Sequence, residues 1–136
     1  MTDCIFCKIV KGELPSAKIY EDDDVFAFMN LMPVTRGHSL VVPKKHSDDI
    51  LQADSQDLNK TINMARRIAD AAMKALGTDS FTITNNRGEH SGRTVHHLHF
   101  HVIPRYSTDG LKPWPQQPEL ELKTRKEIAE AIKKNL

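Results

Sequence analysis

The run His97-Leu98-His99-Phe100-His101-Val102-Ile103 alternates imidazole with apolar side chains. Successive side chains of a β-strand point to opposite faces. A strand here therefore sets His97, His99 and His101 on one face and Leu98, Phe100 and Val102 on the other. The apolar face needs a core and the histidine face needs a polar site, so the chain has to build a sheet around this segment. His96 falls on the apolar side in that register and reads as an edge or strand-end residue.

Three aligned imidazoles admit more than one chemistry. Residues two apart on a strand lie about 6.6–6.8 Å apart, which separates the outer pair by about 13 Å. Zinc holds nitrogen at about 2.0–2.1 Å. Two of these rings can share a metal, but three on one regular strand reach it poorly. The row suits nucleophilic work better: one ring attacks while its neighbours hold its tautomer and stabilise charge. The bland alternative is an exposed face that happens to be rich in histidine. Strict alternation in a chain of otherwise ordinary composition weighs against it.

The chain has 136 residues, which suits a single domain over 1–136. With 39% hydrophobic and 27% charged residues it has the make-up of a globular protein, not a disordered or fibrous one. A formal charge of +1 gives no electrostatic reason to expect nucleic acid or a membrane surface as partner. No apolar run is long enough to span a membrane. Asp3, Cys4, Cys7 and Lys8 interrupt Met1 to Val10, where a signal peptide would need an apolar block. A cytoplasmic location is expected.

Elsewhere the pattern gives mostly strands. Lys18-Ile19-Tyr20 and Val25 to Met29 read as two strands around an acidic turn, Glu21 to Asp24. Ser39 to Val42 reads as a strand stopped by Pro43. Ser55 to Leu76 repeats apolar residues at three- and four-residue steps and predicts a helix, with Ser55 as its cap and Gly77 as its end. Phe81 to Thr84 alternates, and Thr94 to Ile103 is the last strand, ended by Pro104. Residues 109–118 hold Pro113, Pro115 and Pro118 around Trp114 and should be irregular. Thr124-Arg125-Lys126-Glu127 forms a capping box that opens a terminal helix to Leu136. Consecutive strands with segregated helices predict an α+β fold on an antiparallel sheet.

The loop before the histidine row carries Asn85, Asn86, Arg87, Gly88, Gly92, Arg93 and Thr94. Glycine turns can form anion-binding nests, and arginine suits phosphate because its donors are planar and paired. Near the other end, Cys4-x-x-Cys7 reads as a thiol or metal pair in a reducing compartment. The alternative is two small apolar core residues.

At these positions the sequence resembles the histidine triad (HIT) superfamily, whose mark is His-φ-His-φ-His-φ-φ with φ apolar. The likeness extends to Cys4 to Ile9, Pro15 to Lys18, Gly37 to His46 and Asn86, and is similar to bacterial members of the HINT-like branch. It covers about residues 3–105, with residues 109–136 as a C-terminal segment and helix. The resemblance implies a HIT fold: a five-stranded antiparallel sheet with two main helices, in a homodimer whose sheet continues across the interface into ten strands. It implies hydrolysis or transfer at the α-phosphate of a nucleotide. His99 would be the nucleophile that forms a nucleotidyl-histidine intermediate, flanked by His97 and His101. His38 would close the site from another strand, and Thr94 would lie near the leaving group. Asn86, Gly92 and Arg93 would serve the phosphate. Asn30 would bind the ribose and Leu31 would pack on the base. In zinc-bearing relatives the pattern of Cys4, Cys7, His46 and His97 implies a structural Zn²⁺, while the chemistry itself needs no metal.

Two departures bear on substrate. Many HINT-like members have Asp at the position of Asn30, and the family usually has Gln at that of Arg93. The substrate implied first is a purine nucleoside phosphoramidate of the AMP–amine type. The alternatives are a dinucleoside polyphosphate or nucleoside diphosphate, and a nucleotide-binding regulatory module with incidental activity.

Overall fold

The computed structural model describes residues 3–136; Met1 and Thr2, included in the single-domain reading, lie outside the described residues. The elements run α1 (Ile5–Val10), β1 (Lys18–Glu21), β2 (Val25–Met29), β3 (Ser39–Pro43), α2 (Ser55–Leu76), β4 (Ser80–Thr84), β5 (Phe100–Arg105) and α3 (Leu122–Lys133). All five strands form one sheet in the order β1-β2-β3-β5-β4, antiparallel at every step. The expected α+β architecture, with five antiparallel strands and α2 and α3 as its longer helices, is the one observed.

The sheet buries both faces. On one, α2 lays Met64, Ala65, Ile68 and Ala69 against Val25, Ala27, Val41, Leu98, Phe100 and Val102. On the other, Phe6 of α1 packs with Phe26, Phe28, Leu40 and Val42. Burial of an aromatic such as Phe6 contributes roughly 1.5–3 kcal/mol. Helix α1 was not expected from the sequence. Cys4 caps it, accepting from the Cys7 N–H through sulfur at 3.4 Å.

Several boundaries differ from the sequence reading. The cap of α2 is Asp54, whose Oδ1 accepts from the Gln56 N–H at 2.8 Å, so Ser55 is already helical. Gly77 closes α2 in the left-handed conformation, as expected. Helix α3 starts at Leu122, ahead of Thr124, and its N-cap Glu121 makes no side-chain cap bond. The capping box therefore does not open it. Pro43 lies inside β3, opposite Val25.

Strand β5 starts at Phe100, six residues later than Thr94, for a reason specific to its neighbour. Its last partner on β3 is Val41, opposite Phe100. Beyond that point stands Pro43, which has no N–H to give, and whose carbonyl is taken by the His97 ring at 2.8 Å. The Leu98 N–H turns instead to the Ser47 carbonyl at 2.8 Å. At the other end the strand runs through Pro104 to Arg105. The Pro104 carbonyl accepts from Thr35 Oγ1 beyond the end of β3, so its missing N–H breaks no ladder there. Alternation survives this change: Leu98, Phe100 and Val102 enter the α2 core, and Phe6 packs edge-on against His97 and His99.

Candidate functional site

Two clusters grow from the histidine segment, and they share its backbone. In the first, Cys4 at the cap of α1, Cys7 within it, His46 after β3 and His97 before β5 bring one ligand atom each within 4.8 Å of the others. Cys4 Sγ and Cys7 Sγ lie 3.3 and 3.5 Å from His97 Nδ1, Cys7 Sγ lies 3.4 Å from His46 Nδ1, and the two Nδ1 atoms are 3.2 Å apart. A tetrahedral zinc with the usual bond lengths would set such edges at about 3.3–3.6 Å.

The protons point the same way. His97 Nε2–H donates to the Pro43 carbonyl, and His46 Nε2–H donates to Asp48 Oδ1 at 3.0 Å. With those protons on Nε2, the two rings turn bare Nδ1 lone pairs toward each other, an arrangement that calls for a cation between them. The donor set fits zinc. Such a site supplies stability and no reactive position, because four protein ligands leave none open.

The second cluster holds the remaining rings. His99 Nδ1–H donates to the His97 carbonyl at 2.7 Å, which leaves Nε2 as a lone pair. Asn85, the first residue of the loop before the row, donates through Nδ2 to the His99 carbonyl at 2.9 Å. The His99 and His101 ring centres are 5.0 Å apart. His101 Nδ1 lies 2.9 Å from His38 Nε2, joining β5 to β3. Burial lowers the pKa of His99, assisted by the charge of Arg93, and burial pushes His101 down to about 4. Burial likewise lowers that of His38. All three rings are thus neutral near pH 7.

Around them the other expected residues fall unevenly. Asn30 sits beside His38, its Nδ2 3.3 Å from Nε2 and its Oδ1 accepting from the Met32 N–H. Leu31 is 94% exposed. Asn86 Nδ2 donates to the Ser91 carbonyl and shapes the loop. Gly92 takes φ +85°, where other residues are strained. Arg93 donates to the Asp48 carbonyl at 2.9 Å and to His96 Nδ1 at 3.1 Å, so it is tethered to the loop while its charge reaches His99. Thr94 is exposed and lines a groove with His96, Cys4 and His46, on the metal-cluster side.

Sequence reasoning missed Phe6, whose ring stands 5.1 Å from that of His99. It missed Asp49 as well, which accepts from Arg87 Nε at 2.9 Å and from the Leu51 and Gln52 N–H groups, clamping the loop ahead of the row. For the first the signal was only the helical spacing of Ile5, Phe6, Ile9 and Val10, too short a run to mark a helix. The second had none, because Asp49 and Arg87 are 38 residues apart.

Comparison with known proteins agrees with this geometry. The HIT domain family matches residues 11–108. A crystal structure from Streptococcus mutans UA159 superposes with a TM-score of 0.93 at 39% identity, covering 99% of this chain and 86% of that one. A zinc-bound histidine triad family protein from Mycobacterium smegmatis gives a TM-score of 0.78 at 34% identity, covering 96% and 98%. The adenylylsulfatase HINT3 of Arabidopsis thaliana is 35% identical over 130 residues, 96% of this chain and 66% of that protein. No described helix is long and apolar enough to cross a membrane. The family match, these relatives and the histidine row make the chain a member of the HIT domain family.

Proposed function

We propose that this protein is a nucleotide-binding hydrolase acting at the α-phosphate of purine nucleoside phosphoramidates, through a nucleotidyl intermediate on His99. The observation that carries the reading is the state of His99: Nδ1–H is committed to the His97 carbonyl, and Nε2 is a free lone pair on a neutral ring. That nitrogen attacks phosphorus, the P–N bond to the amine breaks, and the amine leaves with a proton from solvent. The positive charge acquired by the ring is held by the His97 carbonyl. Water then attacks phosphorus, the P–N bond to His99 breaks, and its electron pair returns to Nε2. The released proton goes to solvent with AMP as product. His101 and the loop amides stabilise charge on the non-bridging oxygens.

Cys4, Cys7, His46 and His97 would hold a structural Zn²⁺ that ties α1 to the sheet. Asn30 and Leu31 would serve ribose and base, with Asn86, Gly92 and Arg93 at the phosphate and Thr94 at the leaving group. The proposed assembly is a homodimer with the sheet continued across it. The proposed location is a reducing one such as the cytoplasm, which suits the free thiols Cys4 and Cys7.

A second reading takes an anionic leaving group, as in adenylyl sulfate or a dinucleoside polyphosphate. Arg93 favours it, since it stands where the family usually has neutral Gln. The two readings separate in one assay of AMP release from adenosine 5′-phosphoramidate, adenylyl sulfate and diadenosine polyphosphate. Preference for the phosphoramidate supports the first, preference for either anionic substrate the second. Tight AMP binding without turnover of any of them would make the protein a regulatory module.

The acid limb of the rate gives a further check. His99 must be neutral to attack, and its lowered pKa keeps it neutral below pH 6.5. An unperturbed histidine of pKa about 6.5 would leave about a tenth of the activity one unit lower. The expected kcat/KM at pH 5.5 is therefore a larger fraction of its plateau than that. An acid-limb midpoint at or above 6.5 would contradict the buried nucleophile.

A further inference from the structure

We propose that the backbone N–H of Val34 is a positioning group for this site: it sets where the protons sit on His38 and His101, and so makes Nε2 of His101 a hydrogen-bond donor. The proposal rests on the reading of the histidine row as the active site. The geometry is a chain of committed donors. The Val34 N–H points at His38 Nδ1, 3.0 Å away. A backbone amide can only donate, so Nδ1 of His38 has to be the bare nitrogen and Nε2 has to carry the proton. His38 Nε2–H in turn faces His101 Nδ1 at 2.9 Å. His101 Nδ1 is then an acceptor, and its own proton is on Nε2.

Asn30 is the other neighbour of His38 Nε2. Its Oδ1 is occupied by the Met32 N–H at 3.0 Å, which turns its NH₂ group, a donor, toward His38 Nε2 at 3.3 Å. Two donors then face each other across 3.3 Å, so that contact is no hydrogen bond once Nε2 carries the proton, and the proton goes to His101 Nδ1 at the shorter 2.9 Å; an aspartate at this position would compete for it. This gives Asn30, at a position where many HINT-like members have Asp, a physical consequence. The relay also ends on an amide that cannot give up its proton. His101 thus works as a neutral donor, beside a His99 whose Nε2 is the lone pair.

The loop carrying Val34 is held at three points. Thr35 Oγ1 donates to the Pro104 carbonyl at 2.6 Å, Tyr106 Oη donates to the Arg36 carbonyl at 2.7 Å, and the His38 N–H returns to the Thr35 carbonyl at 3.1 Å. Gly37 lets the chain reach His38: it takes φ +94°, and a Cβ there would collide with Leu76 and Pro104. The side chain of Val34 is itself 53% exposed. What the position contributes is the amide.

The test is long-range ¹⁵N–¹H NMR of the imidazoles at pH 7 in the wild type, Val34→Ala and Val34→Pro, alongside AMP release from adenosine 5′-phosphoramidate. In the wild type both His38 and His101 should be neutral Nε2–H tautomers. Val34→Ala keeps the amide and should leave tautomers and kcat unchanged. Val34→Pro removes it and should bring in the Nδ1–H tautomer at His38, with kcat down about tenfold and KM within about twofold. A wild-type His38 protonated on Nδ1 overturns the proposal whether or not the proline variant folds, as does a folded Val34→Pro with unchanged tautomers. If the wild-type tautomers are as stated but AMP is not released, the hydrolase reading fails and the relay stands.

Discussion

Replacing His99 with alanine is expected to lower kcat for AMP release by roughly 10³-fold or more, because water alone then has to displace the leaving group. The expectation comes from how the ring is held. Its Nδ1–H is spent on the His97 carbonyl, Asn85 fixes the following carbonyl, and Phe6 stands edge-on to the ring. Each contact constrains the same lone pair, so little orientation is left to find during reaction. Chromatographic AMP release decides the matter, with thermal melting to confirm that the variant is folded. The buried ring, 6% exposed, also packs in the core, so some loss of stability should accompany the loss of rate. A folded His99→Ala variant with near-native turnover would remove the nucleotidyl-His99 intermediate from consideration.

Metal removal should have the largest effect on stability. Cys4 and Cys7 sit 93 and 90 residues from His97, and His46 sits 51 residues from it, so one ion would cross-link α1, the segment after β3 and the approach to β5. A ligand present at about 1,000 times its Kd stabilises the folded state by about 4.1 kcal/mol. For a domain of this size that corresponds to a fall in Tm of about 10 °C or more when chelator strips the site. The Cys4→Ser, Cys7→Ser double variant should melt at that lower temperature without chelator, and should purify without the roughly one equivalent of zinc that elemental analysis is expected to find in the wild type. Burial and the neighbouring Cys4 raise the pKa of Cys7, so without a cation this thiol is held neutral. Wild-type protein that contains no zinc and melts identically in chelator would sink the metal reading. Because no coordination position is open for substrate, turnover measured below the lowered Tm should persist in chelator; its complete loss there would point instead to a catalytic metal.

Much of this protein was legible without coordinates, and the reason is local. Alternation between residues 98 and 102 follows from the two-residue period of extended backbone, and Leu98 still enters the core although the chain bends at His96 and His97 and the strand begins only at Phe100. Helix α2 was readable because 22 residues of amphipathic periodicity outweigh any single contact, and Gly77 ends it through its own left-handed conformation. Helix α1 was hidden because six residues carry too little periodicity, and its stability comes from packing Phe6 and from the sulfur cap of Cys4. The start of β5 was misplaced because it depends on the missing N–H of Pro43, a residue of another strand.

The residue pattern alone determined that one face of the last strand would be histidine and the other core, and that the sheet would be antiparallel. It also carried the resemblance that singled out His38, His46, Cys4 and Cys7. Tertiary structure decided which partner each imidazole meets. His97 is turned to the cysteines because the Pro43 carbonyl takes its Nε2–H, His99 keeps a free Nε2 because the His97 carbonyl takes its Nδ1–H, and His38 and His101 are ordered by the Val34 amide. Imidazole has two nitrogens and one mobile proton, and its placement follows the nearest donor or acceptor. Those partners come from residues distant in the chain or from backbone groups with no signature of their own, so only the folded arrangement places the protons.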